Sequence, residues 1–105
     1  MPGVHRLFDL VSGHACPPFG AGAAPETMAA GGSPNVLVNG SPAVRMTDLT
    51  DIHPCIWPDG YNPHEGMYVG IRNVLVNGLP CQAELDFTTC ESVALEGSPN
   101  VIVGG

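Results

Sequence analysis

Seven side chains in this sequence could bind a metal or form a cross-link: His14, Cys16, His53, Cys55, His64, Cys81 and Cys90. Four of them stand in two matching phrases, His14-Ala15-Cys16 and His53-Pro54-Cys55, each His lying five residues after an aspartate, Asp9 or Asp48. Cys90 follows Asp86 by four residues. Three imidazole or thiol donors therefore recur four or five residues after three aspartates, at corresponding places in three repeats. A threefold arrangement would bring them together on an axis, and a closed tetrahedral zinc site needs one donor more. His64, in the turn-rich stretch Asn62-Pro63-His64-Glu65-Gly66, is the donor that can reach over. The expected set is His14, His53, His64 and Cys90 around one structural Zn2+. Cys16 and Cys55 occupy equivalent positions and can form a disulfide or replace a histidine as ligand. Cys81, after Pro80, reads as a small buried hydrophobe. His5 has no equivalent donor in the other repeats and is left out. Asp9, Asp48 and Asp86 read as turn caps, because a carboxylate readily bonds local backbone N–H groups.

The register comes from an internal repeat. Asn35-Val36-Leu37-Val38-Asn39-Gly40 recurs as Asn73-Val74-Leu75-Val76-Asn77-Gly78 and as Asn100-Val101-Ile102-Val103-Gly104-Gly105. Ser-Pro precedes the first and third copies, whereas the second has Ile71-Arg72. Each copy reads as a short β-branched strand. Asn-Gly after the first two signals a tight primed turn, which needs positive φ at both central residues. The return halves correspond as well: Val4–Leu10 aligns with Ala43–Leu49, and more loosely with the segment from Gln82 to Phe87. An outgoing strand at the C-terminus and a return strand at the N-terminus are then left without partners. Pairing Val4–Leu7 with Val101–Val103 closes three hairpins around a pseudo-threefold axis and hides sheet edges. An open β-meander is the plainer alternative.

The totals agree with a small all-β domain. At 105 residues the chain suits one domain, 1–105, and is marginal on hydrophobic burial alone, so a metal staple would help. Gly 14 and Pro 11 interrupt every window that could otherwise form an amphipathic helix. A formal charge of −7, with Arg6, Arg45 and Arg72 as the only strong cations, argues against nucleic-acid binding. No stretch is long and apolar enough to act as a membrane anchor, and no signal segment opens the chain.

The phrases Gly-Ser-Pro-Asn-Val, Val-Asn-Gly and Pro42-Ala43-Val44-Arg45 with Asp48 after them resemble the PAAR domain over essentially the whole chain. The copy Pro80-Cys81-Gln82-Ala83 lacks the arginine, and the glycine usual before the aspartate is Phe8 or Thr47 here. The resemblance implies a small conical fold of three pseudo-threefold β-hairpin repeats, metal-stapled at the apex by three His and one Cys, which fall on His14, His53, His64 and Cys90. It further implies a non-enzymatic spike tip that caps the trimeric β-helical spike of a type VI secretion system or a contractile phage tail. Such a tip would be monomeric when free and made in the cytoplasm. It would be carried out on the spike, with any effector cargo coming from elsewhere, since no appended effector domain is expected. Two other functions fit parts of the sequence: a disulfide-stapled extracellular binding module using Cys16 and Cys55, and a zinc hydrolase with Glu65 as general base.

Overall fold

A computed structural model describes residues 2–16, 22–57 and 60–104. Among them there is no helix, and every regular element is a short strand or an isolated bridge. Gly105, the last residue of the third repeat, lies outside the described set.

The first two copies of the outgoing strand form the expected hairpins. β5 (Leu37–Val38) pairs with β6 (Ser41–Pro42), and β9 (Leu75–Val76) pairs with β10 (Leu79–Pro80). Their turns place Asn39 at φ 53 and Gly40 at φ 81, and Asn77 at φ 54 and Gly78 at φ 80. That is the double left-handed conformation an Asn-Gly turn provides at little cost.

The third hairpin is made by the two ends of the chain. Gly3 bridges Ile102, Val4 N–H donates to Val101 O at 2.9 Å, and Val103 N–H donates to Pro2 O at 3.0 Å. Closure therefore falls on residues 2–4, earlier than the Val4–Leu7 stretch expected from alignment. The reason is the two-residue turn. It fixes Leu37 opposite Pro42 and Leu75 opposite Pro80, and the residue equivalent to those prolines is Gly3.

Beyond the hairpins each return segment crosses to its neighbour. Val4 bridges Ala83, Arg6 bridges Ala43, and Arg45 bridges Cys81. Three backbone hydrogen bonds run in a ring: His5 N to Gln82 O at 2.9 Å, Gln82 N to Val44 O at 2.9 Å, and Val44 N to His5 O at 3.0 Å. His5, Val44 and Gln82 have no exposed surface. Three like segments thus surround one axis, and none of them presents a free edge there. The hairpin-end core gathers Val4, Val38, Ala43, Val76, Cys81, Ala83 and Val103.

Each repeat then turns sharply and pairs again. The turns close with Asp9 N to Arg6 O at 2.9 Å, Asp48 N to Arg45 O at 3.0 Å, and Asp86 N to Ala83 O at 3.1 Å. The three aspartates cap them as expected, accepting from Arg6 N, Arg45 N and Ala83 N at 2.8–2.9 Å. Next come the equivalent pairs Leu10–Val11 (β1), Leu49–Thr50 and Phe87–Thr88, which meet Thr27–Met28 (β4), Met67 and Val93 respectively. Val11, Thr50 and Thr88 point inward beside Ala29, Tyr68 and Ala94. Tyr68 is fully buried, and its hydroxyl donates to His5 Nε2 at 2.7 Å while His5 Nδ1 donates to Glu96 O. His5 is therefore a satisfied core histidine. Burial holds its pKa below the ordinary value.

Beyond this layer the symmetry ends. The first two repeats extend into longer loops that build one four-stranded sheet of β2 (His14–Cys16), β3 (Gly22–Ala24), β7 (His53–Trp57) and β8 (Gly60–His64), in that spatial order. The third repeat spans the same level with a short loop from Thr88 to Ser92. The molecule is accordingly elongated, 42 × 23 × 23 Å.

Candidate metal centre

The apical sheet positions the histidines. β7 and β8 pair in register with His53 opposite His64, so their rings lie 4.2 Å apart at the centroids. His14, at the start of β2, meets both rings edge-on, with centroids 5.1 and 5.0 Å away. Cys90 enters from the third repeat. Its loop is a three-residue connection in which Glu91 N donates to Thr88 O at 3.0 Å, Thr88 N donates to Ser92 O at 3.0 Å, and Glu91 takes φ 71. This type I turn with a left-handed last residue is a standard tight hairpin connection, and it holds the Cys90 sulfur inward. The four residues expected to meet do so: one ligand atom from each of His14, His53, His64 and Cys90 lies within 4.8 Å of all the others.

The arrangement is more specific than proximity. His14 Nε2 is 3.0 Å from His53 Nε2 and 2.9 Å from His64 Nε2. The other nitrogen of each ring faces a backbone carbonyl: His14 Nδ1 to Ala15 O at 3.0 Å, His53 Nδ1 to Asp51 O at 3.1 Å, and His64 Nδ1 to Asn62 O at 3.3 Å. A carbonyl only accepts, so each Nδ1 carries the proton and each Nε2 turns a lone pair toward the other two. Three converging lone pairs repel one another unless a cation sits among them. A stray proton would settle one contact and leave the rest. Backbone carbonyls that fix the tautomer and aim the free nitrogen are the usual support of metal-bound histidine.

Spacing gives a second test. With bonds of about 2.0–2.1 Å to nitrogen and about 2.3 Å to sulfur, a tetrahedral centre has N···N edges of about 3.3 Å and N···S edges of about 3.6 Å. The Nε2 pairs at 2.9 and 3.0 Å, and Cys90 Sγ at 3.8 Å from His53 Nε2, lie a few tenths of an ångström from those values. The site can hold a metal ion.

Its surroundings favour a cation. His53 is only 2% exposed, and burial lowers its pKa, with smaller contributions from the neighbouring imidazoles, so it stays a neutral donor. Glu26, Asp51, Glu65 and Glu91 are exposed on the apical loops, whereas all three arginines are engaged elsewhere with aspartates. The resulting negative field raises the local concentration of cations. Thr88 Oγ1 at 3.1 Å and Ser92 Oγ at 3.7 Å approach Cys90 Sγ and can donate to it as a thiolate. Neither residue stood out in the sequence, where isolated hydroxyls carry no register signal.

Cys16 and Cys55 resolve to one of the two alternatives. They form a disulfide with Cα atoms 6.0 Å apart, packed with Ala24 and Trp57. Cys81 is 1% exposed and lies in the hairpin-end core, remote from the histidines, as its small apolar character predicts. Of the aromatic residues, Tyr68 is core, Trp57 covers the disulfide, and Tyr61 is exposed. Glu65 is exposed as well and makes no described hydrogen bond. Compared with known proteins, the chain matches no protein-family model and no curated relative.

Proposed function

We propose that this protein is the tip of a contractile injection spike, a PAAR-type cap that seats on a trimeric β-helical partner and carries one structural zinc at its apex. One observation carries this reading. The same apolar pair is exposed on each of three pseudo-equivalent hairpins: Val36 36% and Leu37 59%, Val74 44% and Leu75 59%, Val101 40% and Ile102 51%. A single chain that displays one surface three times around an axis suits a partner with true threefold symmetry. Exposed apolar side chains repeated in this way suit an interaction surface. The contact would be dry and apolar, because the three arginines near it are already paired with aspartates.

The apex supports the same reading. Three imidazoles and one thiolate in a tetrahedral set suit zinc. Four protein donors leave no open position for a reacting water, which supports a structural and not a catalytic role for the site. Structural zinc can contribute on the order of 10 kcal/mol to the folded state, which would hold the Gly- and Pro-rich apical loops rigid. The disulfide joins the same loops, but a stapled binding module with bystander histidines leaves the convergence of the three Nε2 atoms without a purpose.

Native mass spectrometry of the protein mixed with a trimeric β-helical spike protein tests the proposal. One copy of this chain per three spike chains is expected, and Leu37→Asp with Leu75→Asp should abolish the complex while zinc stays bound. Binding to a monomeric partner, or assembly unaffected by the two aspartates, would refute it.

A further inference from the structure

A second set of donors lies against the first. The sulfurs of Cys16 and Cys55 and a ring nitrogen of His14 are all within 4.8 Å of one another. His14 Nδ1 is 3.8 Å from Cys16 Sγ, while Nε2 of the same ring faces His53 and His64. One imidazole therefore stands between two donor sets and turns a nitrogen to each. Cys55, His14, Trp57 and Cys90 line one cavity of about 390 Å³, so the second set has open space beside it. As a disulfide the two sulfurs are poor ligands. As thiolates they form a soft pair that suits zinc or cadmium.

We propose that reduction of the Cys16–Cys55 disulfide creates a second metal site, in which Cys16 Sγ, Cys55 Sγ and His14 Nδ1 bind a soft divalent ion and His14 bridges it to the ion held by the first set. The inference shares His14 with the centre proposed above and rests on that reading. A dithiol supplies the two electrons and two protons, becoming a cyclic disulfide as the S–S bond breaks into two thiols. When the ion binds, two S–H protons and the Nδ1 proton of His14 leave to solvent, and three metal–ligand bonds replace them. The hydrogen bond from Nδ1 to Ala15 O is given up. Three protein donors leave a fourth position for water. The benefit to the fold is continuity. Cys16 on β2 and Cys55 on β7 flank β3 without pairing to each other, so thiolate ligation would keep the two apical loops cross-linked where a disulfide cannot persist.

Cadmium titration of the metal-free Cys81→Ala protein tests this, because that background removes the one thiol outside the apex. Calorimetry gives the number of ions, and the ultraviolet cadmium–thiolate band gives the number of sulfurs bound. The oxidised protein should take one ion with the band of a single thiolate. After anaerobic reduction with a phosphine it should take two, with about three times the band intensity and a dispersed amide NMR spectrum. Adding Cys16→Ser and Cys55→Ser should return the count to one. A single ion in the reduced protein, a second ion that survives the serine substitutions, or an amide spectrum collapsed to that of an unfolded chain would overturn the second site alone. No ion in either redox state would overturn the first centre with it.

Discussion

Arg72 offers the sharpest test of the repeat architecture. In the first two repeats the turn aspartate pairs with an arginine three residues before it, Arg6 with Asp9 at 2.9 Å and Arg45 with Asp48 at 3.0 Å. The third repeat has Ala83 at that position, and Arg72 reaches Asp86 from the preceding segment instead, with Nε 2.7 Å and Nη2 2.8 Å from its two carboxylate oxygens. Both side chains are 12% exposed, so the pair is largely withdrawn from solvent. Its charge-assisted hydrogen bonds raise the Arg72 pKa further above its ordinary value. Arg72→Ala would leave Asp86 half-buried with Ala83 N–H as its remaining partner, at 2.8 Å. Hydrogen bonds to charged groups are worth about 1.5–3 kcal/mol, and losing one member of a buried pair costs about 3–5 kcal/mol. For this partly exposed pair we expect a loss of about 2–3 kcal/mol, equivalent to a fall in Tm on the order of 10 °C. The decisive variant is the double substitution Arg72→Pro with Ala83→Arg, which rewrites the third repeat in the pattern of the first two. Arg72 N–H makes no described backbone hydrogen bond, so proline removes none. The double variant should recover most of the loss in urea unfolding of the metal-loaded protein. If Arg72→Ala costs less than about 0.5 kcal/mol, within the range of ordinary surface substitutions, or if the double variant is no more stable than Arg72→Ala, the equivalence of the three turns is wrong.

The other expectations are more local. Thr47 sits exposed at φ 79, where a β-branched residue pays about 1–2 kcal/mol and glycine pays its own entropy of about 0.5–1 kcal/mol, so Thr47→Gly should stabilise the fold by about 0.5–1 kcal/mol in the same assay; a loss would show that Thr47 makes a contact of its own. His5 is kept neutral by burial, so below its ordinary pKa the unfolded chain takes up a proton that the folded one refuses. Stability should therefore be full above about pH 6.5 and fall on acidification by at most about 1.4 kcal/mol per pH unit until the folded pKa is reached. Comparing His5→Gln with the parent isolates this, because acid loss of metal affects both; identical slopes would contradict it. Cys90→Ala should lower bound zinc and thermal stability together, whereas Cys81→Ala should leave zinc in place, as elemental analysis of the two variants will show.

The sequence made the repeats and the apical donors readable because both depend on residues at fixed register. Asn39-Gly40 and Asn77-Gly78 specify their turns locally, and His14, His53 and Cys90 stand five, five and four residues after three aspartates. Other features depend on exchanges between positions that do not align. Arg72 replaces an arginine missing at residue 83, and alignment alone shows only two departures from the pattern. The contacts between repeats behave alike: Asn39 meets Ser98 and Asn100, and Asn77 meets Ser33 and Asn35. At the remaining junction Ile71 replaces the serine and Gly104 replaces the asparagine. What reads as drift in the second and third copies thus belongs to one junction of three. Phe8, Thr47 and Leu85 adopt φ of 72, 79 and 75 without glycine, so only the aspartate that follows each one marks its turn in the sequence, and the left-handed conformation is imposed by the Asp caps and the closed ring. The choice between disulfide and ligand for Cys16 and Cys55 also needed the fold, because only the apical sheet shows that both face the same interior.

The central claim is a closed metal centre at the apex, and zinc-edge X-ray absorption of protein purified without added metal tests it most directly. The account predicts about one zinc per chain, with a first shell of three imidazole nitrogens at about 2.0–2.1 Å and one sulfur at about 2.3 Å. Protein free of zinc, or a shell without sulfur, would contradict it.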